Sequence, residues 1–305
     1  MPNSKVITTT FISLLIVICV IFYFNHEKTY IIDNPNIDQT QKEQGEISFL
    51  ILGKTGDTQG GQWHTSPDLT DTIILAYYQP SKEVLNLISL PRDLYADFNS
   101  EKFKINEAIK KNKTSDLLIK VSQITGIQTN KFAVIDLEIV KKVVDKLGGV
   151  DIVLPSAVTD AVTKYTMEAG QQHLTGEDVI WLIRNRFASQ GDFFREKNQQ
   201  LVIEALYQKY KNLSQAEKIK LAINLMPDLN SIQTNSDFFE LFSLGQEIKN
   251  VRFKGITLDF TTGLLESSST SIVGVSTPQY ILLPKAGLNK YDEIKNYIAE
   301  KIKSD

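Results

Sequence analysis

Two apolar runs, TIILAYY (Thr72–Tyr78) and VLNLISL (Val84–Leu90), flank the short polar stretch QPSKE. The first run is rich in β-branched and aromatic residues and the second in aliphatic ones, and the stretch between them has the length and chemistry of a hairpin connection around Pro80 and Ser81. Charge is confined to the outer ends: Asp71 precedes the first run, and Arg92 and Asp93 follow the second. With the turn centred near Ser81, residues whose numbers sum to about 162 face each other across the antiparallel pair. Asp71 then lies opposite Pro91, with Arg92 and Asp93 just beyond. Facing residues are about 4.5–5.5 Å apart, so the two carboxylates share one small volume. Carboxylates that close repel unless a cation lies between them or one takes up a proton. Oxygen ligands of this type suit Mg²⁺ (or Mn²⁺), which one or two carboxylates hold together with a substrate phosphate. Taken alone, the same residues also fit a strand end closed by an Arg–Asp ion pair.

From Ile47 onward, strand and helix signals alternate. ISFLIL is a strand. Ser115 caps a helix through Thr125, which stops at Gly126. KFAVIDL is a strand, EIVKKVVDKLGG a helix ending at Gly148, and VDIVL a second strand, together a βαβ unit. Thr175 and Asp178 have capping-box spacing and open a helix toward Arg184. Asp192 caps a longer helix to about Tyr210, and Ser214 with Glu217 forms another capping box. The tail holds a helix after Ser236, strands near Val251–Phe260 and Tyr280–Leu283, and a last amphipathic helix from Tyr291. The pattern predicts one mixed α/β domain from about residue 46 to the end.

Ahead of it, Val6–Phe24 runs 19 residues without a charge. At about 1.5 Å per residue that is roughly 29 Å, close to the thickness of a bilayer core. No small-x-small cleavage pattern follows, and Cys19 is preceded by Ile18 rather than the small residue a lipid-modified signal wants. The segment predicts a retained plasma-membrane anchor, residues 6–24, with a short inside tail at 1–5. Residues 25–45 form a polar linker, and 46–305 an extracytoplasmic domain. That domain has no cysteine, which excludes disulfides and a cysteine nucleophile. The 33 basic and 36 acidic residues nearly balance and give no signal for nucleic acid.

A second charged stretch, WLIRNRFASQGDFFREKNQQL, supplies Arg184, Arg186, Asp192, Arg195, Gln199 and Gln200. Asp192, Arg195 and Gln199 fall on one helix face. Arg184 and Arg186, two apart, cannot, so the chain leaves the helix there if both serve one site. Arginine is scarce: the others are Arg92 and Arg252, and lysine is the ordinary solubilising cation. Guanidinium groups offer paired donors suited to phosphate oxygens, and with a carboxylate pair they point to phosphoryl transfer with a metal. Sharper motifs fail. GKTGD has Ser48 where a phosphate loop needs glycine. His26, His64 and His173 lack zinc spacing, and no G-x-S-x-G elbow occurs. Arginines beside the carboxylates would suppress the raised acid pKa of a glycosidase.

The pieces TDTIIL, LISLPRDLY, KIN (Lys104–Asn106), VVDKLGGVDI, GQQHLTGEDVIWLIRNR and GDFFREKNQQ, in this order over about Phe49–Leu206, resemble the LytR-CpsA-Psr (LCP) family of cell-envelope proteins. The resemblance implies that family's mixed-sheet α-β-α domain behind a transmembrane helix. It implies a Mg²⁺-dependent (or Mn²⁺-dependent) phosphotransferase of cell-wall assembly. Such enzymes move a glycopolymer phosphate from a polyprenyl-pyrophosphate carrier onto a peptidoglycan hydroxyl. Asp71 and Asp93 are then the metal ligands. Arg92, Lys104, Arg184, Arg186, Arg195 and Gln199 bind the pyrophosphate, and Arg92, Asp93, Asp192 and Arg195 are the catalytic group. Either Asp93 or Asp192 is available to take the acceptor proton. The chain departs from the family at Leu69 and Asn198, where arginine is usual, and at Leu182, where tyrosine is usual. Those losses keep two alternatives open: an anchored envelope regulator that binds polyprenyl phosphates without turnover, and a lipid pyrophosphatase using water as acceptor.

Overall fold

Side chains of successive strand residues point to opposite faces, and the strands of this chain are apolar on both. In β1 (Ile47–Lys54), Phe49 packs with Ala133 and Ile135 on one face, while Leu50 and Leu52 pack with Phe132 and Val134 on the other. In β2 (Thr70–Gln79), Ile73 and Leu75 join the second core and Ile74, Ala76 and Tyr78 the first side. Such a sheet has to be covered twice, and it is. The structure, a computed structural model, describes residues 45–54, 68–99, 101–161, 163–185, 191–225, 227–228, 232–236, 251–271 and 277–304. The expected anchor, nearly all of the linker, and the expected helix after Ser236 lie outside these residues. Among the described residues no helix is long and apolar enough to cross a membrane.

The central sheet comprises β1, β2, β3 (Val84–Ser89), β6 (Phe132–Asp136), β11 (Gln233–Thr234) and β12 (Arg252–Thr257). Its order is β11-β6-β1-β2-β3-β12. It is mixed: β1–β2, β2–β3 and β11–β6 are antiparallel, and β1–β6 and β3–β12 are parallel. Three shorter ribbons accompany it: β4 (Tyr95–Phe98) with β5 (Glu101–Lys104), β8 (Val158–Thr159) with β9 (Thr166–Met167), and β7 (Val150–Leu154) with β10 (Gly170–Leu174). A fourth pairs β13 (Leu265–Thr270) with β14 (Gln279–Pro284). Helices α2 (Leu137–Lys146), α3 (Gly176–Arg184), α4 (Asp192–Lys211) and α5 (Gln215–Leu225) cover one face. Helices α1 (Thr114–Thr125) and α6 (Asp292–Lys303) cover the other.

The structure corrects four local expectations. The hairpin turns through Pro80–Lys82 with Glu83 left-handed, and Gln79 pairs with Val84. The register is therefore one residue later than a turn at Ser81 gives, which levels Asp71 with Arg92 rather than Pro91. Ser115 lies inside α1, whose N-cap is Lys113. Gly191, at φ +54°, is the N-cap of α4 in place of Asp192, whose carboxylate is engaged by arginines instead. Finally, β7 does not join β6 in one sheet. Its residues alternate, with Asp151 and Val153 exposed and Val150, Ile152 and Leu154 buried. A strand buried on one face only suits a two-stranded antiparallel ribbon, not a place inside a sheet covered on both sides.

Helix α4 carries buried polar residues along most of its first half. The amide nitrogen of Gln200 lies 3.1 Å from the Leu87 carbonyl, 2.7 Å from Ser89 Oγ and 3.3 Å from the Ile256 carbonyl, so it pins β3 to β12. A side chain at Gly255 would collide with Gln200 Oε1 at 2.3 Å, which is why the strand passes there with glycine. Glu196 is 4 % exposed, and its Oε2 has no hydrogen-bond partner among the described residues. Burial pushes its carboxyl up to about 8; Arg195 and Lys197 pull it down, and Asp192 and Asp259 push it up.

Gln200→Ala removes a donor shared by two strands, and we expect a loss of about 1–3 kcal/mol in urea unfolding. For Glu196 the folded-state pKa lies above the unfolded value near 4.5. The native state then holds a proton the unfolded state has released, so stability falls as pH rises from about 4.5 to about 8. Glu196→Gln removes this dependence. The variant should match the parent near pH 4 and exceed it above pH 8 by on the order of a few kcal/mol, measured by unfolding at both pH values.

Candidate functional site

The hairpin register sets the site. Asp71 stands in β2 and Arg92 just beyond the end of β3, and Arg92 Nη1 donates to Asp71 Oδ1 at 2.6 Å. The KIN segment stitches the two strand ends together. Thr70 Oγ1 donates to the Asn106 carbonyl at 3.2 Å, and the Asn106 amide donates to the Arg92 carbonyl at 3.3 Å. The ribbon β4–β5 sets Lys104 opposite Tyr95, which brings its ammonium 2.7 Å from Asp93 Oδ1.

The first turn of α4 closes the cluster from the other side. Arg92 Nε donates to Asp192 Oδ2 at 2.9 Å and lies 3.5 Å from Asp93 Oδ2. Arg195, 2 % exposed, sets Nη1 3.4 Å from Asp192 Oδ1 and donates from Nη2 to the Asp71 carbonyl at 3.2 Å. One guanidinium thus touches three carboxylates that come from β2, the loop after β3, and α4. Burial works against charge on Arg92, but Asp71, Asp192 and Asp93 outweigh it and hold the guanidinium above its ordinary pKa. It stays protonated at any pH the fold survives.

Asp71, Arg92, Asp93, Lys104, Asp192 and Arg195 are therefore together, joined by the contacts just described. Arg184 is half-buried at the last position of α3. Asn185 follows in extended backbone at φ −66°, ψ 128°, so the chain leaves the helix where the arginine spacing requires it. Arg186 lies outside the described residues. Gln199 points elsewhere: its amide nitrogen lies 3.3 Å from the Ile183 carbonyl, tying α4 to α3. Asn198 does the same toward the Leu182 carbonyl at 3.5 Å. The departures at 182 and 198 are thus in contact, both buried in the core between two helices.

The sequence pattern did not single out Glu196 or Tyr280. Glu196 carries a signal in its spacing, four residues after Asp192 on the same helix face. Tyr280 carries none, since it reaches the cluster only through tertiary structure. Its hydroxyl is held above the ordinary tyrosine value by burial and then by the carboxylates of Asp93 and Asp192.

Among the described residues no three carboxylates, histidines or cysteines form a metal cage. Asp71 and Asp93 both contact the Arg92 guanidinium. A pair of carboxylates is a donor set that suits Mg²⁺, which keeps water and phosphate as its remaining ligands.

Residues 21–280 match the profile of the LytR_cpsA_psr family. The chain is 26 % identical over 239 residues to the polyisoprenyl-teichoic acid–peptidoglycan teichoic acid transferase TagV of Bacillus subtilis (strain 168), covering 75 % of this chain and 59 % of TagV. It is 28 % identical over 213 residues to the regulatory protein MsrR of Staphylococcus aureus (strain COL), covering 65 % of this chain and 62 % of MsrR. The chain thus spans about three-fifths of the length of these relatives. Its fold is shared with the crystal structure of B. subtilis TagV, at TM-score 0.61 and 20 % identity, over 87 % of this chain and all of that one. A structure of TagT bound to LIIa-WTA is similar at TM-score 0.62 and 17 % identity, covering 88 % of this chain and 96 % of TagT. A mixed sheet covered on both faces, the clustered motif residues and the profile match lead to one conclusion: this chain belongs to the LytR-CpsA-Psr family.

Proposed function

We propose that this protein is a metal-dependent phosphotransferase of cell-wall assembly, moving a glycopolymer phosphate from a polyprenyl-pyrophosphate carrier onto a peptidoglycan hydroxyl. Residues 6–24 would hold it in the plasma membrane with the domain outside. The observation that carries the reading is the convergence of Asp71, Asp93 and Asp192 on Arg92, with Lys104 and Arg195 at the edges. The transferase name of the relative TagV supports it.

In this reading the acceptor oxygen attacks the phosphorus that carries the glycan. A new P–O bond forms while the bond to the bridging oxygen breaks, and that oxygen leaves with the polyprenyl monophosphate. The proton of the acceptor passes to Asp93 or Asp192. Negative charge spreads over the phosphoryl oxygens in the transition state, where fixed guanidinium and ammonium donors act. Arg92, Arg195 and Lys104 are those donors, with Arg184 and Arg186 as further contacts. Asp71 and Asp93 would hold the Mg²⁺ or Mn²⁺ ion, which supplies divalent charge to neutralise the pyrophosphate. The charge balance supports that need. Three carboxylates already face three cations, so an incoming pyrophosphate leaves the cluster negative unless a divalent ion enters with it.

One observation favours a second reading, an envelope regulator that binds the lipid without turnover. Asn198 stands at a family arginine position and faces the core between α3 and α4, so it offers the substrate no charge. A relative named as a regulatory protein agrees with this.

The test mixes the full-length chain in detergent with a polyprenyl-pyrophosphate glycan, peptidoglycan oligomers and Mg²⁺, and quantifies polyprenyl monophosphate and glycan transfer. We expect release that EDTA abolishes and added Mg²⁺ or Mn²⁺ restores. Arg92→Ala and Asp93→Ala should each lower it by about 10²-fold or more. Broadening of the Mn²⁺ spin-resonance signal should be lost in Asp71→Ala. Bound lipid with no release would overturn the transferase in favour of the regulator, and full release without acceptor would make it a pyrophosphatase.

A further inference from the structure

Of the large apolar side chains that stand out in solvent among the described residues, Ile219 and Ile223 share one helix. Both belong to α5, four residues apart and so on one face, and each is 61 % exposed. The other face of α5 is ordinary core, with Leu221 and Leu225 buried. Lysines frame the exposed pair. Lys220 is exposed on α5 itself, Lys211 is exposed at the end of α4, and Lys218 reaches back to the Lys211 carbonyl at 3.4 Å. Beyond Ile223, Lys146 donates to the Asn224 carbonyl. The acids nearby are fewer, and both are engaged: Glu217 accepts from Ser214, and Asp228 from Lys142 and Lys146. The surround is therefore basic.

This face lies at one particular end of the molecule. Helix α4 starts at the charged cluster, and its 20 residues carry it about 30 Å away. At its far end Tyr207 Oη accepts from the Val251 amide at 3.3 Å, and the next amide, of Arg252, donates to the Glu83 carbonyl at 2.9 Å. Glu83 closes the β2–β3 turn, and beside that turn Gln79 donates to Glu46 at 3.1 Å. Glu46 stands where the chain arrives from the linker and the apolar run Val6–Phe24. Helix α5 opens directly after α4 ends, so it starts at this arrival end, opposite the cluster.

We infer that Ile219 and Ile223 dock on the surface of an anionic bilayer, with the surrounding lysines at its headgroups. The inference rests on the reading of residues 6–24 as an anchor and adds how the domain sits on the membrane. Helices that lie in a bilayer interface combine an apolar face with flanking lysines, whose long stems let the ammonium reach the headgroups. Anionic lipid attracts such lysines, whereas zwitterionic lipid does not. Two isoleucines make a small apolar face. An anchor ending at Phe24 makes the docking intramolecular, so a weak contact is enough. In this seat the cluster faces away from the bilayer. On the transferase reading, the carrier's polyprenyl chain rather than its pyrophosphate then meets the membrane.

The test places a solvent-sensitive fluorophore on the full-length chain at Ile223→Cys, or at Ser268→Cys on exposed β13 as control, each combined with Cys19→Ser. The chain is reconstituted with vesicles of phosphatidylcholine, alone or with an equal part of phosphatidylglycerol, with and without brominated acyl chains. In the anionic vesicles the label at 223 should shift to the blue and be quenched by bromine, and the label at 268 should do neither. Lys211→Gln and Lys220→Gln should each lower the docked-to-free ratio about fivefold. These positions are exposed, and unchanged thermal unfolding certifies the variants. A label at 223 as water-exposed as that at 268, in a chain that floats with the vesicles, overturns the inference and keeps the anchor. A blue shift without bromine quenching also overturns it, and dependence on protein concentration would then make a second copy the occupant. A chain that floats only with anionic vesicles, and is quenched there, sinks the anchor and leaves the face standing. A chain that floats with neither sinks both.

Discussion

Three carboxylates within reach of one another would repel, and Arg92 is what allows them to be together. Its guanidinium contacts Asp71, Asp93 and Asp192 at 2.6, 3.5 and 2.9 Å. A planar fork of donors is suited to this, since it presents hydrogens in several directions from one rigid group. The geometry depends on the β2–β3 register, fixed by a turn of Pro80–Lys82 and a left-handed Glu83. Lengthening or shortening that turn by one residue would shift Arg92 relative to Asp71 and flip one strand's side chains to the other face. The core and the charged cluster are thus set by one and the same register.

Helix α4 links the cluster to the rest of the molecule. Its first turn supplies Asp192 and Arg195. The next turns carry Asn198 and Gln199, which bind the backbone of α3, and Gln200, which clamps β3 to β12. The glutamine pair of the motif is therefore an anchoring device. It fixes the helix against both neighbours so that Asp192 meets Arg92 in one position. A buried Glu196 with a raised pKa beside Arg195 is a destabilising feature that such anchoring has to offset.

Much of this was legible beforehand. The hairpin, the capping boxes at Thr175 and Ser214, and the last helix from Tyr291 are where local patterns place them, because short-range chemistry decides them. The meeting of Asp71, Arg92 and Asp93 followed from charge set at the ends of two apolar runs, whereas Asp192 and Arg195 were assigned to the same site through the family resemblance. The partner of β7 was not legible from adjacency in sequence; the exposed Asp151 and Val153 carried the decisive hint of a one-sided strand. Nor did local pattern distinguish Gln199 and Gln200 as anchors from substrate contacts, since both uses put an amide on an inward helix face. Tyr280 was beyond reach for a different reason. Its strand β14 docks on the segment carrying Asp93, which leaves no periodic trace.

The neutrality of the cluster has a kinetic meaning. With cations and carboxylates matched inside a few ångströms, their fields largely cancel, and what remains is screened within about a Debye length. Such a cluster does little to pull anions from a distance, unlike a cleft of a single sign that accelerates encounter. On the transferase reading, a phosphate oxygen gains a contact with Arg92 only by displacing a carboxylate already bound to it. In that reading small ambient anions are at a disadvantage against a ligand bringing several phosphate oxygens, and selectivity comes from substitution at the cluster rather than from attraction toward it.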